Sequence, residues 1–194
     1  MKKVIFVLVL FFTLPIVTLA DSYSSLWKRY EQLQKKNQPR SALNVLKEII
    51  TKAREGKSYG NLIKSELEQL ATLQDLSGDS LQPQLERLRI VAEKTKKSEP
   101  VVYAIYNNVL GRLYQSLFIN NADSMVVCKR FFERSMQDPA LLAAVKADKY
   151  TPLMVTGIDS RIFNDDLLHV LGIVAEDYHT LYQWYSSHNN RSAA

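Results

Sequence analysis

The sequence predicts an all-α fold of paired helices that follows a cleaved N-terminal leader. The 194 residues include only 6 Gly and 6 Pro, too few turn residues for an all-β chain. Apolar residues instead recur every three or four positions through most of the chain, as in amphipathic helices. With 46% hydrophobic residues, the chain can bury a sizeable core. A single Cys excludes an intramolecular disulfide framework and a Cys-built zinc site.

Residues 1–20 have the pattern of a secretory signal peptide. Lys2 and Lys3 precede an apolar run, Pro15 interrupts it, and small residues before Asp21 suit cleavage after Ala20. The alternative is a membrane anchor. The apolar stretch at residues 4–20 is interrupted by Pro15, however, and its length is marginal for a bilayer core of about 30 Å. We therefore expect residues 21–194 to be exported to the periplasm or cell envelope. Membrane contact is expected only through an uncleaved leader.

The charge balance argues against nucleic-acid binding. The whole chain carries a net charge of +5, but cleavage removes two lysines and no acid, leaving +3. That value describes a mildly basic surface, and an exported protein rarely meets DNA.

The first half of the mature chain predicts four helices with recognisable ends. Pro39 ends the first, and Ser41 can cap the second. Gly56 is placed to end that helix in a left-handed turn, and Gly78 to close the third. Pro83 lies within the tolerant first turn of the fourth.

The second half opens with the strongest helix, which starts at Ser98-Glu99-Pro100 and continues to Leu117. A strand over residues 101–106 is the alternative, but the helical period persists for about twenty residues, so helix is favoured. The small residues Ala104 and Gly111 allow a neighbouring helix to approach closely.

Further amphipathic stretches follow this helix, separated by an irregular segment at residues 148–162. One of them contains Met125, Val126, Phe131, Phe132 and Met136. Asp138-Pro139 begins the next as cap and first residue, Asn164 caps a later one, and a last helix carries Tyr178 to Tyr185.

Two patterns indicate a repeat array. Leu110-Gly111-Arg112-Leu113-Tyr114 matches part of the tetratricopeptide pattern, although Asn107 stands where that pattern has Trp. The turn segments at 37–42 and 189–193 also resemble each other, and both follow an aromatic helix. The chain then ends where a second helix would begin. The sequence thus predicts a tetratricopeptide-like hairpin array over residues 21–194 that is the front of a longer protein.

Catalytic and metal-binding motifs are weak. Gly56-Lys57-Ser58 lacks the first Gly of a phosphate loop, since position 51 is Thr. The pairs Asp165/His169 and Glu176/His179 each offer two ligands, but solvated helix faces explain them better. We therefore expect no enzyme activity, no cofactor and no metal site.

Cys128 has two interpretations. It is a small apolar residue in a helix face, or a thiol activated by Lys129 and Arg130 that forms an intermolecular disulfide.

Aromatic residues are concentrated in the two best-patterned regions, and Tyr and Trp make good anchors for a bound peptide. Most are expected to pack between helices. The candidate protein-binding residues are Tyr103, Tyr106, Tyr114, Tyr182, Trp184 and Tyr185.

Several segments resemble the helical leader of exported α-macroglobulin-like proteins of Bacteroides-type bacteria. They are Ser25-Leu26-Trp27-Lys28, Pro39-Arg40-Ser41-Ala42-Leu43, Ile49–Ala53, Tyr59, Leu62-Ile63, Asp138-Pro139, Tyr150–Leu153 and Phe163–Leu168. The resemblance implies a protease-trapping or envelope-protective protein, whose activity resides in β-sandwich domains and, in many members, a Cys-to-Gln thioester. Cys128 is not followed by the Glu-Gln pair of that thioester, so no thioester residue is transferred.

We therefore expect a non-enzymatic exported scaffold, or protein-interaction module, resembling the front of such an inhibitor. Its partners would be a protein, a peptide or downstream domains of the same polypeptide. The alternative is a free-standing periplasmic tetratricopeptide-like adaptor that binds a peptide or an envelope protein.

Overall fold

A computed structural model describes residues 19–118, 122–155 and 166–188. This part of the chain contains α-helices, two short 3-10 turns and no β-strand, so the predicted all-α class is confirmed. The leader at 1–18, the turn segment at 189–193 and the proposed cap at Asn164 lie outside the described residues. No described helix combines the length and apolarity needed to cross a membrane.

The helices follow one another through short connections. In chain order they are α1 (Leu19–Lys35), α2 (Pro39–Glu55), α3 (Tyr59–Leu76), α4 (Leu81–Thr95), α5 (Pro100–Leu117), α6 (Ala122–Ser135), α7 (Pro139–Ala143), α8 (Leu167–Ala175) and α9 (Tyr178–Ser187), with 3-10 turns at Gly78–Ser80 and Ala147–Tyr150.

The first three helices share one hydrophobic core. α2 lies between α1 and α3 and buries a complete apolar stripe against them. Its side chains Val45, Leu46 and Ile49 are fully buried, which accounts for the strong helical period of this segment.

The turns between these helices correct two predicted boundaries. Gly56 has φ −85, and the left-handed residue is Lys57 at φ 50, with Asn37 at φ 52 in the preceding turn. α2 begins at Pro39, so Ser41 lies inside its first turn and is not the cap.

The end of α3 is also earlier than predicted. α3 stops at Leu76, and Gly78 begins a 3-10 turn that leads into α4. Gly78 has open space around its Cα, so it is not required there for close packing.

α5 is the central helix of the second half and contacts α4, α6 and α8. The predicted close approach is confirmed at Gly111, where an added Cβ would lie 2.6 Å from the Phe132 ring of α6. Gly60 at the start of α3 meets backbone instead: its Cβ would lie 2.6 Å from the carbonyl oxygen of Thr151.

Aspartate caps position the last three helices. The predicted cap of α7 is confirmed, because the Asp138 carboxylate accepts a hydrogen bond from the Leu141 N–H at 2.9 Å. Asp166 caps α8 through the His169 N–H at 2.8 Å, and Asp177 caps α9 through the Thr180 N–H at 3.1 Å.

Candidate functional site

Three of the six predicted binding aromatics lie in the core. Tyr103, Tyr106 and Tyr185 are each at most 6% exposed. The Tyr185 hydroxyl donates to Asp166 at 2.7 Å, and burial followed by this hydrogen bond raises the pKa of Tyr185. These side chains pack between helices and expose little surface to a partner.

The other three reach the surface to different degrees. Tyr114 is half-buried and packs on Phe131 with ring centroids 5.5 Å apart. Trp184 is half-buried and stacks on His188 at 3.9 Å. Tyr182 is 61% exposed, and it is the member of the set most available for contact.

The strongest polar cluster of the described core surrounds Glu66. Its side chain is fully buried and accepts hydrogen bonds from the Tyr106 hydroxyl at 2.7 Å, from Arg87 at 3.2 Å and from Arg54 at 3.4 Å. Burial, followed by the Glu66 charge, raises the pKa of Tyr106. The four side chains come from α2, α3, α4 and α5, so one carboxylate joins four helices.

A second buried polar contact joins α5, α6 and α8. The Asn108 side-chain amide donates to Ser135 at 3.2 Å and to the Leu171 carbonyl at 2.9 Å. Like Glu66, Asn108 is used to hold helices in register.

The described residues contain no group of three or more His, Cys, Asp or Glu side chains that could hold a metal. His169 is buried, and His179 is exposed on α9. Asp165, the proposed co-ligand of His169, lies outside the described residues.

The described surface carries a groove of about 640 Å³ beside α6. One wall is a single face of α6, because positions 125, 128, 129, 132 and 133 follow the helical i, i+3, i+4 spacing. The other wall is the turn between α8 and α9. Its apolar lining is Met125, Val126, Cys128, Phe132 and Ala175, and its polar lining is Gln115, Lys129, Glu133, Glu176 and Asp177.

The groove exists because part of the apolar stripe predicted for α6 is not covered. Phe131 and Phe132 are buried against α5, whereas Met125 is 43% and Val126 is 53% exposed. On an α-helix, Val126 is turned about 160° from Cys128, so the two cannot pack into the same core.

The facing wall has a fixed backbone. Glu176 ends α8 in the left-handed conformation at φ 56. Asp177 then caps α9, accepting from both the backbone N–H and the hydroxyl of Thr180. The capping interaction keeps the Asp177 carboxylate at the groove while it serves the helix end.

The groove lining carries more acid than base. Its charged members are the acids Glu133, Glu176 and Asp177 and the base Lys129. Glu133 and Glu176 form no ion pair with any residue in the described ranges. Arg112 lies close by on α5, and its guanidinium donates to Gln115 at 2.7 Å.

Cys128 is a buried free thiol in this groove. Burial raises the pKa of Cys128, the Glu176 charge raises it further, and Arg112 acts in the opposite sense. Lys129 and Arg130, which the sequence suggested as activating groups, are exposed and are not among the groups that shift it. The thiol therefore fits the interpretation as a small apolar residue.

A second, smaller cavity of about 300 Å³ lies elsewhere on α5. It is more apolar and includes Leu67, Val109, Met154 and Val174.

No family model, curated protein sequence or solved structure matches the chain.

The sequence predicted an amphipathic stretch with Met125, Val126, Phe131, Phe132 and Met136, but not that Met125 and Val126 stay uncovered. The available signal was angular, since on the helix Val126 is turned about 160° from Cys128 and about 120° from Phe132. The wall from the α8–α9 turn has no such signal, because it approaches α6 only in the folded chain.

Proposed function

We propose that this chain is a non-enzymatic protein-interaction module that binds a peptide segment of a partner in the α6 groove. The single observation that carries the proposal is the groove itself, with an uncovered apolar floor and a charged rim. Bound segments typically anchor apolar side chains in such a floor and use the rim for orientation.

The buried polar groups support a non-catalytic role. Glu66, Asp166 and Asn108 each bond to side chains or backbone of neighbouring helices. The hydrogen bonds described for these groups therefore join helices.

The proposal includes the finer architecture and location expected from the sequence. The helices form a tetratricopeptide-like array, and the module works in the periplasm or cell envelope after loss of residues 1–20. Its resemblance to the leader of α-macroglobulin-like proteins suggests that the partner is a downstream domain of the same polypeptide. A free-standing adaptor that binds a separate envelope protein is the second candidate, supported by the open groove.

Selection of a displayed peptide library on the purified chain tests the binding function. We expect peptides whose affinity falls roughly ten-fold in Val126→Asp, because a charge placed in the apolar floor costs at least about 1.4 kcal/mol. Ile90→Asp is the matched control, since Ile90 is 45% exposed on α4, outside the groove lining.

Binding that survives Val126→Asp, or that both substitutions weaken equally, contradicts the proposal. A library that yields no binder contradicts it as well. Circular dichroism of both variants checks that the helices are intact.

Mass spectrometry of the protein from its native cells separates the two candidates. A mass far above 22.2 kDa favours the attached leader. A mass lower than 22.2 kDa by the first twenty residues favours the adaptor and locates the cleavage site.

A further inference from the structure

We propose that the segment bound in the α6 groove carries Lys or Arg side chains beside its apolar anchors. This inference rests on the proposed function and names the chemistry of the partner. It follows from the charges of the groove lining, their positions on facing walls and the exposure of the floor.

The acids occupy both walls. Glu133 is on α6, whereas Glu176 and Asp177 are on the α8–α9 turn. A segment lying between the walls would therefore meet a carboxylate on either side. Charge complementarity of this kind orients a bound segment and speeds its association.

The acids are available to a partner. Glu133 and Glu176 are exposed and form no ion pair within the described ranges, so binding need not break an internal bridge. Asp177 caps α9, but a carboxylate that accepts two hydrogen bonds retains further acceptor sites.

The cations near the groove do not cancel this excess. Lys129 is the one base of the lining against three acids, and it lies four residues from Glu133 without approaching within ion-pair distance. Arg112 lies nearby and donates to the lining residue Gln115, but even counting Arg112 two bases face three acids. The acidic groove thus contrasts with a chain whose net charge is +5.

The floor suits apolar anchors of variable shape. Met125 and Val126 are half exposed, and the buried Phe132 lines the same groove. Methionine is flexible and polarizable, so it adapts to different apolar partners. The groove volume of about 640 Å³ is within the usual range of ligand-binding clefts.

Two synthetic peptides of about 15 residues provide the test, with identical Leu and Phe anchors at helical i, i+3, i+4 and i+7 spacing. One carries two Lys beside the anchors, and the other carries two Glu at the same positions. Binding of each to the full chain is measured by fluorescence anisotropy.

We expect the Lys peptide to bind roughly ten-fold tighter or more, because two attractive contacts replace two repulsive ones and each changes affinity about two-fold. The ratio should shrink as salt rises from about 0.02 M to about 0.3 M, because exposed charges are screened.

Variants assign the preference to the groove. The double variant Glu133→Gln/Glu176→Gln should reduce the preference for the Lys peptide over the Glu peptide to about two- or three-fold. The Glu peptide itself should bind equally well or better. Glu31→Gln with Asp75→Asn is the matched control, since both acids are exposed and outside the groove lining.

The outcomes separate this inference from the proposed function. Equal binding of both peptides, abolished by Val126→Asp, would keep the groove and overturn the charge preference. A preference for the Glu peptide, or one that the Glu133/Glu176 variant leaves unchanged, would also overturn it. If neither peptide binds, or if the chain is a dimer that Val126→Asp separates, both proposals fail.

Discussion

In the buried Glu66 cluster, we predict that replacing the cation Arg87 costs more stability than replacing the anion Glu66. The perturbations are Arg87→Met and Glu66→Gln. The reason is unequal access to water: the Glu66 side chain is 0% exposed, whereas Arg87 is 33% and Arg54 is 60% exposed.

The magnitude follows from what each substitution leaves behind. Arg87→Met leaves the buried carboxylate with the Tyr106 hydroxyl at 2.7 Å and the mostly exposed Arg54 at 3.4 Å. Breaking a buried pair costs about 3–5 kcal/mol, and the two remaining donors place this case near about 3 kcal/mol. Glu66→Gln keeps an acceptor for Tyr106 and leaves cations that can turn to water, so we expect about 1–1.5 kcal/mol.

Urea unfolding followed by circular dichroism measures both values. The double variant should cost less than the two single substitutions together, because the second change removes a partner already lost. The exposed pair Arg89–Glu86, which is closer at 2.6 Å, is the matched control. Its neutralisation should leave the unfolding midpoint unchanged. A larger loss for Glu66→Gln than for Arg87→Met would refute the reasoning.

Three further predictions use other contacts. Gly60→Ala should destabilise by about 1–3 kcal/mol in urea unfolding, because its Cβ meets facing backbone, whereas Gly78→Ala in open space should be neutral or stabilising; equal effects would contradict this. Native Cys128 should label far more slowly than the unfolded thiol, because burial raises its pKa; equal rates would contradict it. Burial raises the pKa of Tyr59 to about 12 in the folded chain. The contribution of neutral Tyr59 to the free energy of unfolding should therefore be complete below pH 10 and should fall as the pH rises toward 12. A free energy of unfolding that stays constant across that window would contradict this.

The period of apolar residues was enough to predict the helices and most of their buried faces. Leu46 and Ile49 of α2 follow the stripe and are fully buried. Asp138 was predictable as a cap because Asp followed by Pro specifies both the cap and the first helical residue.

The sequence did not predict features that depend on chain-distant contacts. The left-handed turn at Lys57 is a local exception: the Ser58 N–H donates to the Ala53 carbonyl at 2.8 Å, and the adjacent Gly56 was a misleading signal. Nothing in the sequence marked Glu66, whose burial depends on hydrogen bonds from Arg87 and Tyr106 on other helices. The groove is a further case, since its second wall comes from the α8–α9 turn.

The aromatic residues show why composition does not locate a binding surface. Tyr106 and Tyr185 have the residue type of a binding anchor, but their hydroxyls find buried carboxylates. A buried tyrosine whose hydroxyl has such a partner is satisfied within the core. The exposed apolar positions of α6 are smaller residues and carried no such signal.

Methyl NMR of the methionines tests the central claim most directly. The chain has four Met residues, and Met125 lies in the groove, Met136 is 6% exposed and Met154 lines the second cavity. On titration with the Lys peptide, we predict that the Met125 methyl signal shifts while those of Met136 and Met154 stay in place. An unchanged Met125 signal at saturating peptide, or a shift confined to Met154, would contradict the account.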